Sequence, residues 1–452
     1  MTVPPPSPRS LFGSATGMLA LALLGVEALA GVQSAIVAVT TPLMAAELHG
    51  QRLYGVVTAA PQVAMFLTMP LGTYLLGRFP AGRLLGWFTA VTVAGAVTSA
   101  VAAHVAVFIG GRFVTGLAAG ALATVSMGAL VTALPRAWRQ LVLAGFSAMW
   151  LVTSIVGPVY AAWVSEALGW RWALVLYLPL LLLARWGVAR RLPAEPPDAR
   201  RRWDVHSGLL LAVGVGLLST MATAPGGVVA AGCAVAGLLV TGLAAVRLLP
   251  AGTARLRRGR PSAVALLFLL STVYFGAQSI TAIVGHDVLR FDAGRIGVLL
   301  GVGSLGWAVA GLVTGRFPAR SRRVFLTRTW LSAALLCAGL SLTAAATAGL
   351  VPSGLGWYAA GWAAAGVGMG TAYLDAINQI VEPREDGVTP VGAAGAAVIG
   401  EAVATAVAGT VSAGAVAALV TQGAAQTVVA VPLWAAAAVA LLLPPVAARI
   451  RN

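Results

Sequence analysis

Long apolar runs recur along this chain, separated by little more than arginines, prolines and short polar turns. Cut at those breaks, the sequence gives apolar segments near 16–42, 52–77, 83–103, 105–133, 139–165, 170–189, 206–223, 228–248, 261–285, 292–315, 324–348, 354–381, 389–418 and 424–447. A helix rises 1.5 Å per residue and needs about 20 apolar residues to cross a hydrocarbon core. The pattern therefore predicts fourteen transmembrane helices joined by short loops. The least regular segment is 206–223, followed by an Ala224-Pro225-Gly226-Gly227 turn. The first run contains Glu27 and continues to about Leu43, too long for the ~7–15-residue core of a signal peptide, so no cleavage after Ala30 is expected.

Composition supports the same reading. Of 452 residues, 59% are hydrophobic and only 9% charged, against about 25% charged in soluble domains. Such a chain cannot cover a water-soluble globule, which excludes a soluble enzyme. The net charge of +16 does not indicate a nucleic-acid binder, because no segment gathers the basic residues on one soluble face. All 29 basic residues are arginine. Cys233 and Cys337 both lie in apolar runs, and His49, His104, His206 and His286 are scattered, so neither a disulfide framework, a metal site nor a cofactor is expected.

Arginine placement tests the topology independently, since cytoplasmic loops are enriched in positive charge. With the N-terminus inside, 24 arginines fall on the inner side, from Arg9, Arg78 and Arg83 through Arg185 and Arg200 to Arg449 and Arg451. Only Arg52, Arg171, Arg290 and Arg295 fall outside, and Arg112 lies within a span. This asymmetry predicts a multi-pass protein of the cell membrane with both termini cytoplasmic. An internal repeat adds a second constraint: Gly77-Arg78-Phe79-Pro80-Ala81 recurs as Gly315-Arg316-Phe317-Pro318-Ala319. The copies follow the second and tenth segments, eight apart. Two parallel six-helix halves would put them six apart, so a helix pair, about 206–248, is inserted between the halves. The expected domains are 1–190, an inserted linker and helix pair over 191–260, and 261–452.

Ionisable groups inside spans are costly and mark function or tight pairing. Glu27, Arg112, Asp375 and Glu401 qualify. At 1.5 Å per residue, Glu27 and Glu401 lie roughly 16 and 18 Å from the inner face, near the midplane, and Arg112 lies at about the same depth as Glu27. A Glu27–Arg112 pair is expected if their helices adjoin. Asp375 falls near the inner interface, where a solvated end close to Glu382 and Arg384 competes with a cavity role. Tyr274 and Gln278, four apart, share a helix face that could line a cavity. Glycines recur at four-residue spacing, as at Gly116 and Gly120, which lets helix backbones approach. Gly157-Pro158 should bend the fifth helix, and Trp170, Trp172, Trp186, Trp357 and Trp362 sit near segment ends, as interfacial belts do.

These motifs together resemble the major facilitator superfamily, in particular its fourteen-helix drug:proton antiporter branch. Gly169-Trp170-Arg171-Trp172-Ala173-Leu174 with Pro179 resembles that branch's sixth-helix signature, Gly157-Pro158 its antiporter motif, and Arg112 with Gly116 and Gly120 its fourth-helix motif. Arg202-Trp203-Asp204 and Gly208 resemble the entry to its inserted pair. Two departures stand out: Gln33 occupies the place of an aspartate in the first-helix motif, and Leu76 or Gly77 that of an acidic loop residue.

The resemblance implies an all-α polytopic fold of two six-helix bundles around a central cavity, plus two inserted helices, working by alternating access as a monomer. It implies no enzymatic activity, but proton-coupled export of small, largely apolar organic molecules. Glu27, Arg112 and Glu401 would carry the proton, and Gln33, Tyr274, Gln278 and Asp375 would line the cavity. The partners would be the lipid bilayer, a small-molecule substrate and protons. An uptake symporter, a lipid translocator or a non-transporting membrane sensor are the alternatives.

Overall fold

The computed structural model describes residues 14–48, 54–192, 205–220, 226–291, 293–352, 354–384 and 386–450. Arg9, Arg52, Arg200, Arg451, the Arg202-Trp203-Asp204 motif and the Ala224-Pro225 turn lie outside them. Every regular element among the described residues is helical. We label them α1 Ala15–Glu47, α2 Tyr54–Leu76, α3 Ala81–Ala100, α4 Val105–Ala133 and α5 Arg136–Leu168. Then come α6, in two pieces, Trp170–Ala173 and Leu178–Ala189, α7 Val205–Thr220, α8 Gly227–Leu248, and α9 Arg260–Ile283 with a π-turn Val284–Val288. The chain ends with α10 Ala293–Arg316, α11 Arg322–Thr347, α12 Leu355–Val381, α13 Pro390–Thr421 and α14, broken into Gln426–Val429, Val431–Ala440 and Leu443–Ala447.

Ten of these helices are long and apolar enough to cross a membrane. The other segments are α3, α5, α7 and α12. At sixteen residues α7 is short for a ~20-residue span. Several polar residues of α3 and α12 face inward: Thr89, Thr92 and Ser99 in the one, Asp375 and Gln379 in the other, are buried. Outward faces are apolar instead, with Leu183 63% and Leu239 69% exposed, a surface suited to lipid.

Contacts divide the chain into two compact units, residues 1–216 with 383–398, and 217–382 with 399–452. In the first, α2 and α3 pack on α4, α1 on α5, and α3 on α6. In the second, α10 and α11 pack on α12, and α11 on α14. The helices flanking each copy of the repeat thus have the same neighbours eight elements apart.

Glycine sets the closest approaches. A Cβ on Gly116 would strike the Pro61 carbonyl, and one on Gly120 the Met65 carbonyl. Pro61 and Pro70 interrupt the hydrogen bonding of α2, and each lies against a glycine of a neighbouring helix, Gly116 and Gly208. Thr68 Oγ1 donates to the Leu117 carbonyl at 2.7 Å and Thr124 Oγ1 to the Met69 carbonyl at 3.1 Å, tying α2 to α4 across that seam. In the second unit, Gly366 abuts the Gly303 backbone and Gly370 the Trp307 carbonyl, so α10 and α12 meet the same way. The helix α5 continues through Gly157-Pro158 to Leu168, where Gly169 at φ 95° ends it and opens α6.

Candidate functional site

Glu401 lies in the middle third of α13, and both its carboxylate oxygens lie 2.9 Å from the Tyr373 hydroxyl on α12. The hydroxyl donates and the carboxylate accepts, a charge-assisted bond of the stronger kind. The Tyr373 ring meets Trp307 of α10 edge-on, centroids 5.2 Å apart. Trp307 in turn meets Tyr274 and Phe275 of α9 edge-on at 5.5 and 5.7 Å. Tyr274 stacks on Trp362 of α12 at 5.0 Å with planes 12° apart. Aromatic pairs at these distances hold one another in fixed orientations. Gly303 makes this possible, because a Cβ there would strike the Trp362 indole nitrogen.

The cluster is short of hydrogen-bond acceptors. Among the described residues, Tyr274 OH, Trp307 Nε1, Trp362 Nε1, Ser271 Oγ and Thr272 Oγ1 are buried without a hydrogen-bond partner. Leaving a polar atom so costs about 1–3 kcal/mol, and such atoms point to water or a ligand in the working protein. A carboxylate beside several π-systems can take an organic cation or a proton, and the orphan donors can take an acceptor on a largely apolar molecule.

The other sequence-predicted residues are distributed as follows. Tyr274 is fully buried inside the ring cluster, whereas Gln278, one turn on, is half-buried. Gln33 and Glu27 are half-buried on α1. Arg112 does not take Glu27 as its partner among the described residues: its Nε is buried with no hydrogen bond. The expected pair fails because α1 touches α4 only slightly and packs along α5 instead. Asp375 is not a solvated end. It is 4% exposed, pairs with Arg328 Nη1 at 3.1 Å and accepts from the Ala319 backbone N–H at 3.4 Å. Arg328 also donates to the Phe317 carbonyl, so this pair pins the second repeat loop. The first loop is held by rings instead, Phe79 edge-on to Trp87 at 5.2 Å and Arg78 over Tyr74 at 4.5 Å. Arg316 sits over Phe317 at 5.6 Å.

Two tryptophans expected in interfacial belts have interior roles. Trp362 is fully buried, and Trp170 donates to Glu47 Oε2 at 2.6 Å, beside Arg171, whose Nη1 reaches Glu47 Oε1 at 2.5 Å. Arg171 Nη2 donates to the Ala102 carbonyl at 3.0 Å, so the Gly169–Trp172 signature fastens the ends of α1, α3 and α6 together. These donors hold the Glu47 carboxyl below its ordinary value of 4.5. Tyr373, Trp307, Arg185 and Arg328 went unrecognised in the sequence. Only the position of Trp307, mid-segment rather than at an end, signalled an interior role.

Comparison with known proteins settles the family. The Major Facilitator Superfamily model matches residues 23–409. The chain belongs to that superfamily. Major facilitator proteins are transporters, and this one is a multi-pass membrane protein of that type. Over its whole length it is similar to the crystal structure of the human organic anion transporter MFSD10 (TETRAN), at 14% identity and TM-score 0.64, covering 98% of this chain and 100% of that one. The proton:xylose symporter XylE aligns at 14% identity and TM-score 0.60, covering 95% and 94%. At such identity the likeness is one of fold. Among curated proteins, the fatty acid resistance protein FarB of Neisseria gonorrhoeae is 26% identical over 195 residues, 42% of this chain. The matched stretch covers only 38% of FarB.

Proposed function

We propose that this transporter exports small, largely apolar organic molecules in exchange for protons, with fourteen membrane-spanning helices and both termini cytoplasmic. The observation that carries the reading is the Glu401 carboxylate held by Tyr373 within the ring cluster of α9, α10 and α12. Ionised, Glu401 accepts a hydrogen bond from the Tyr373 hydroxyl. Once protonated it is a weaker acceptor, and the Tyr373 ring is released to shift against Trp307. Proton binding thereby alters the surface that contacts an apolar substrate, which is the differential interaction that exchange requires. Glu27, at similar depth in α1, is the second candidate carrier. The fatty acid resistance of FarB supports export as the direction and amphiphiles as substrates.

The test is accumulation of fluorescent apolar dyes in efflux-deficient bacteria. Expression should lower accumulation several-fold, and a protonophore or Glu401→Gln should abolish the effect. Higher accumulation than in control cells would identify an uptake symporter instead.

A further inference from the structure

The first unit holds a second polar cluster, around Arg185. Arg185 lies inside α6, 7% exposed, although the sequence places it with the inner loop arginines. Its Nη1 donates to Thr89 Oγ1 at 3.2 Å and Thr92 Oγ1 at 3.3 Å on α3, and its Nε is buried without a partner. Neutral hydroxyls do not balance a buried guanidinium. Tyr177 is buried in one cluster with Phe108 and Leu181, each one helical turn before Arg112 and Arg185 respectively, Tyr160 packs against that cluster, and the Arg112 Nε is likewise buried and unpartnered. Among the described residues neither guanidinium is seen to form an ion pair with a carboxylate.

The backbone is unusual at the same place. Between Ala173 and Leu178 the helix α6 tightens, the Leu174, Val175 and Leu178 N–H groups donating to the Arg171, Trp172 and Val175 carbonyls three residues back, with Pro179 in the first turn of the regular helix that follows. A short stretch of such tighter turns inside a helix often marks a functional place. The buried Arg185, the half-buried Arg112, two tyrosines and the tightened turns of α6 therefore share one region of α3, α4, α5 and α6.

We propose that Arg112, Arg185 and Tyr177 form a binding site for the anionic head of an amphiphile, a carboxylate or phosphate borne on an apolar tail. Guanidinium groups suit such oxyanions because their planar forks donate two parallel hydrogen bonds. The buried head supplies the missing counter-charge, and the tail continues along the apolar helix faces. The inference rests on the transporter reading only for the ligand's passage, and equilibrium binding without a proton gradient keeps the two separable.

The experiment measures binding of dodecanoate, dodecanol and dodecyltrimethylammonium to the purified protein in nanodiscs of zwitterionic lipid. Dodecanoate should bind at least tenfold more tightly than dodecanol. Arg185→Gln should remove that preference and leave dodecanol binding unchanged, while Arg185→Lys keeps part of it. Should Arg185→Gln fail to fold, Arg112→Gln gives the same readout, since its guanidinium nitrogen Nε has no hydrogen bond to lose. A second arm adds phosphatidylglycerol to the nanodiscs. Competition with dodecanoate in wild type, absent in Arg185→Gln, identifies a lipid head as an occupant of the same site, and no competition assigns it to the free amphiphile. Equal affinity for dodecanoate and dodecanol, or unaltered dodecanoate binding in both folded Gln variants, overturns the proposal.

Discussion

The Tyr373 hydroxyl donates to the Glu401 carboxylate, and that bond separates two roles of a single side chain. Tyr373→Phe keeps the ring edge-on to Trp307 and removes only the donor. Hydrogen bonds to charged groups are worth about 1.5–3 kcal/mol, so turnover should fall by about tenfold or more with substrate KM nearly unchanged. Tyr373→Leu should raise KM as well. Steady-state transport at several substrate concentrations distinguishes the two, and equal effects on both constants in both variants would contradict the assignment. At Asp375 the same scale of reasoning concerns stability. Removing one partner of a buried ion pair costs about 3–5 kcal/mol, so Asp375→Asn and Arg328→Met should each lower the melting temperature sharply. Arg328→Met with Asp375→Leu, which removes both charges, should recover most of the loss in a thermal melt.

Among whole elements, the glycine seams decide which helices can be neighbours. Gly366→Ala drives a methyl into the Gly303 backbone and should sharply reduce the folded yield. Gly301→Ala, on the face of α10 where nothing lies within 4 Å, should be neutral or stabilise by about 0.5–1 kcal/mol. Size-exclusion profiles of the two variants check the contrast. The clasp at Glu47 predicts a pH dependence. Its carboxyl is held below 4.5, so the stabilisation is full at neutral pH and fades as pH falls through that lowered value. Because the pair is half-exposed, the effect is at most about 1 kcal/mol. Glu47→Gln should therefore melt slightly below wild type at pH 7, and the two should converge in acid. The helical segments were legible because bilayer thickness imposes their length, and the Gly-Arg-Phe-Pro-Ala repeat gave their eight-element offset. Partnerships were not. Whether Arg112 meets Glu27 or Tyr177 depends on helix rotation, which spacing along one chain does not encode. Arg185 read as a loop charge because the sequence does not reveal Thr89 and Thr92 waiting on α3.

For the molecule as a whole, the arginine asymmetry predicts that reporters fused after residue 200, after residue 252 and at either terminus report one side of the membrane. A reporter after residue 350 should report the other. A discordant pair would remove a helix from the proposed fourteen. Coupling is the central claim, and it joins a carboxylate in one span to movement of a solute through all of them. The most direct measurement is proton movement in proteoliposomes carrying an imposed pH gradient. An apolar substrate added to wild type should dissipate the gradient, and the same addition to Glu401→Gln protein that still binds substrate should not. Transport of substrate by wild type with the gradient untouched, or gradient dissipation that persists in Glu401→Gln, would contradict the account.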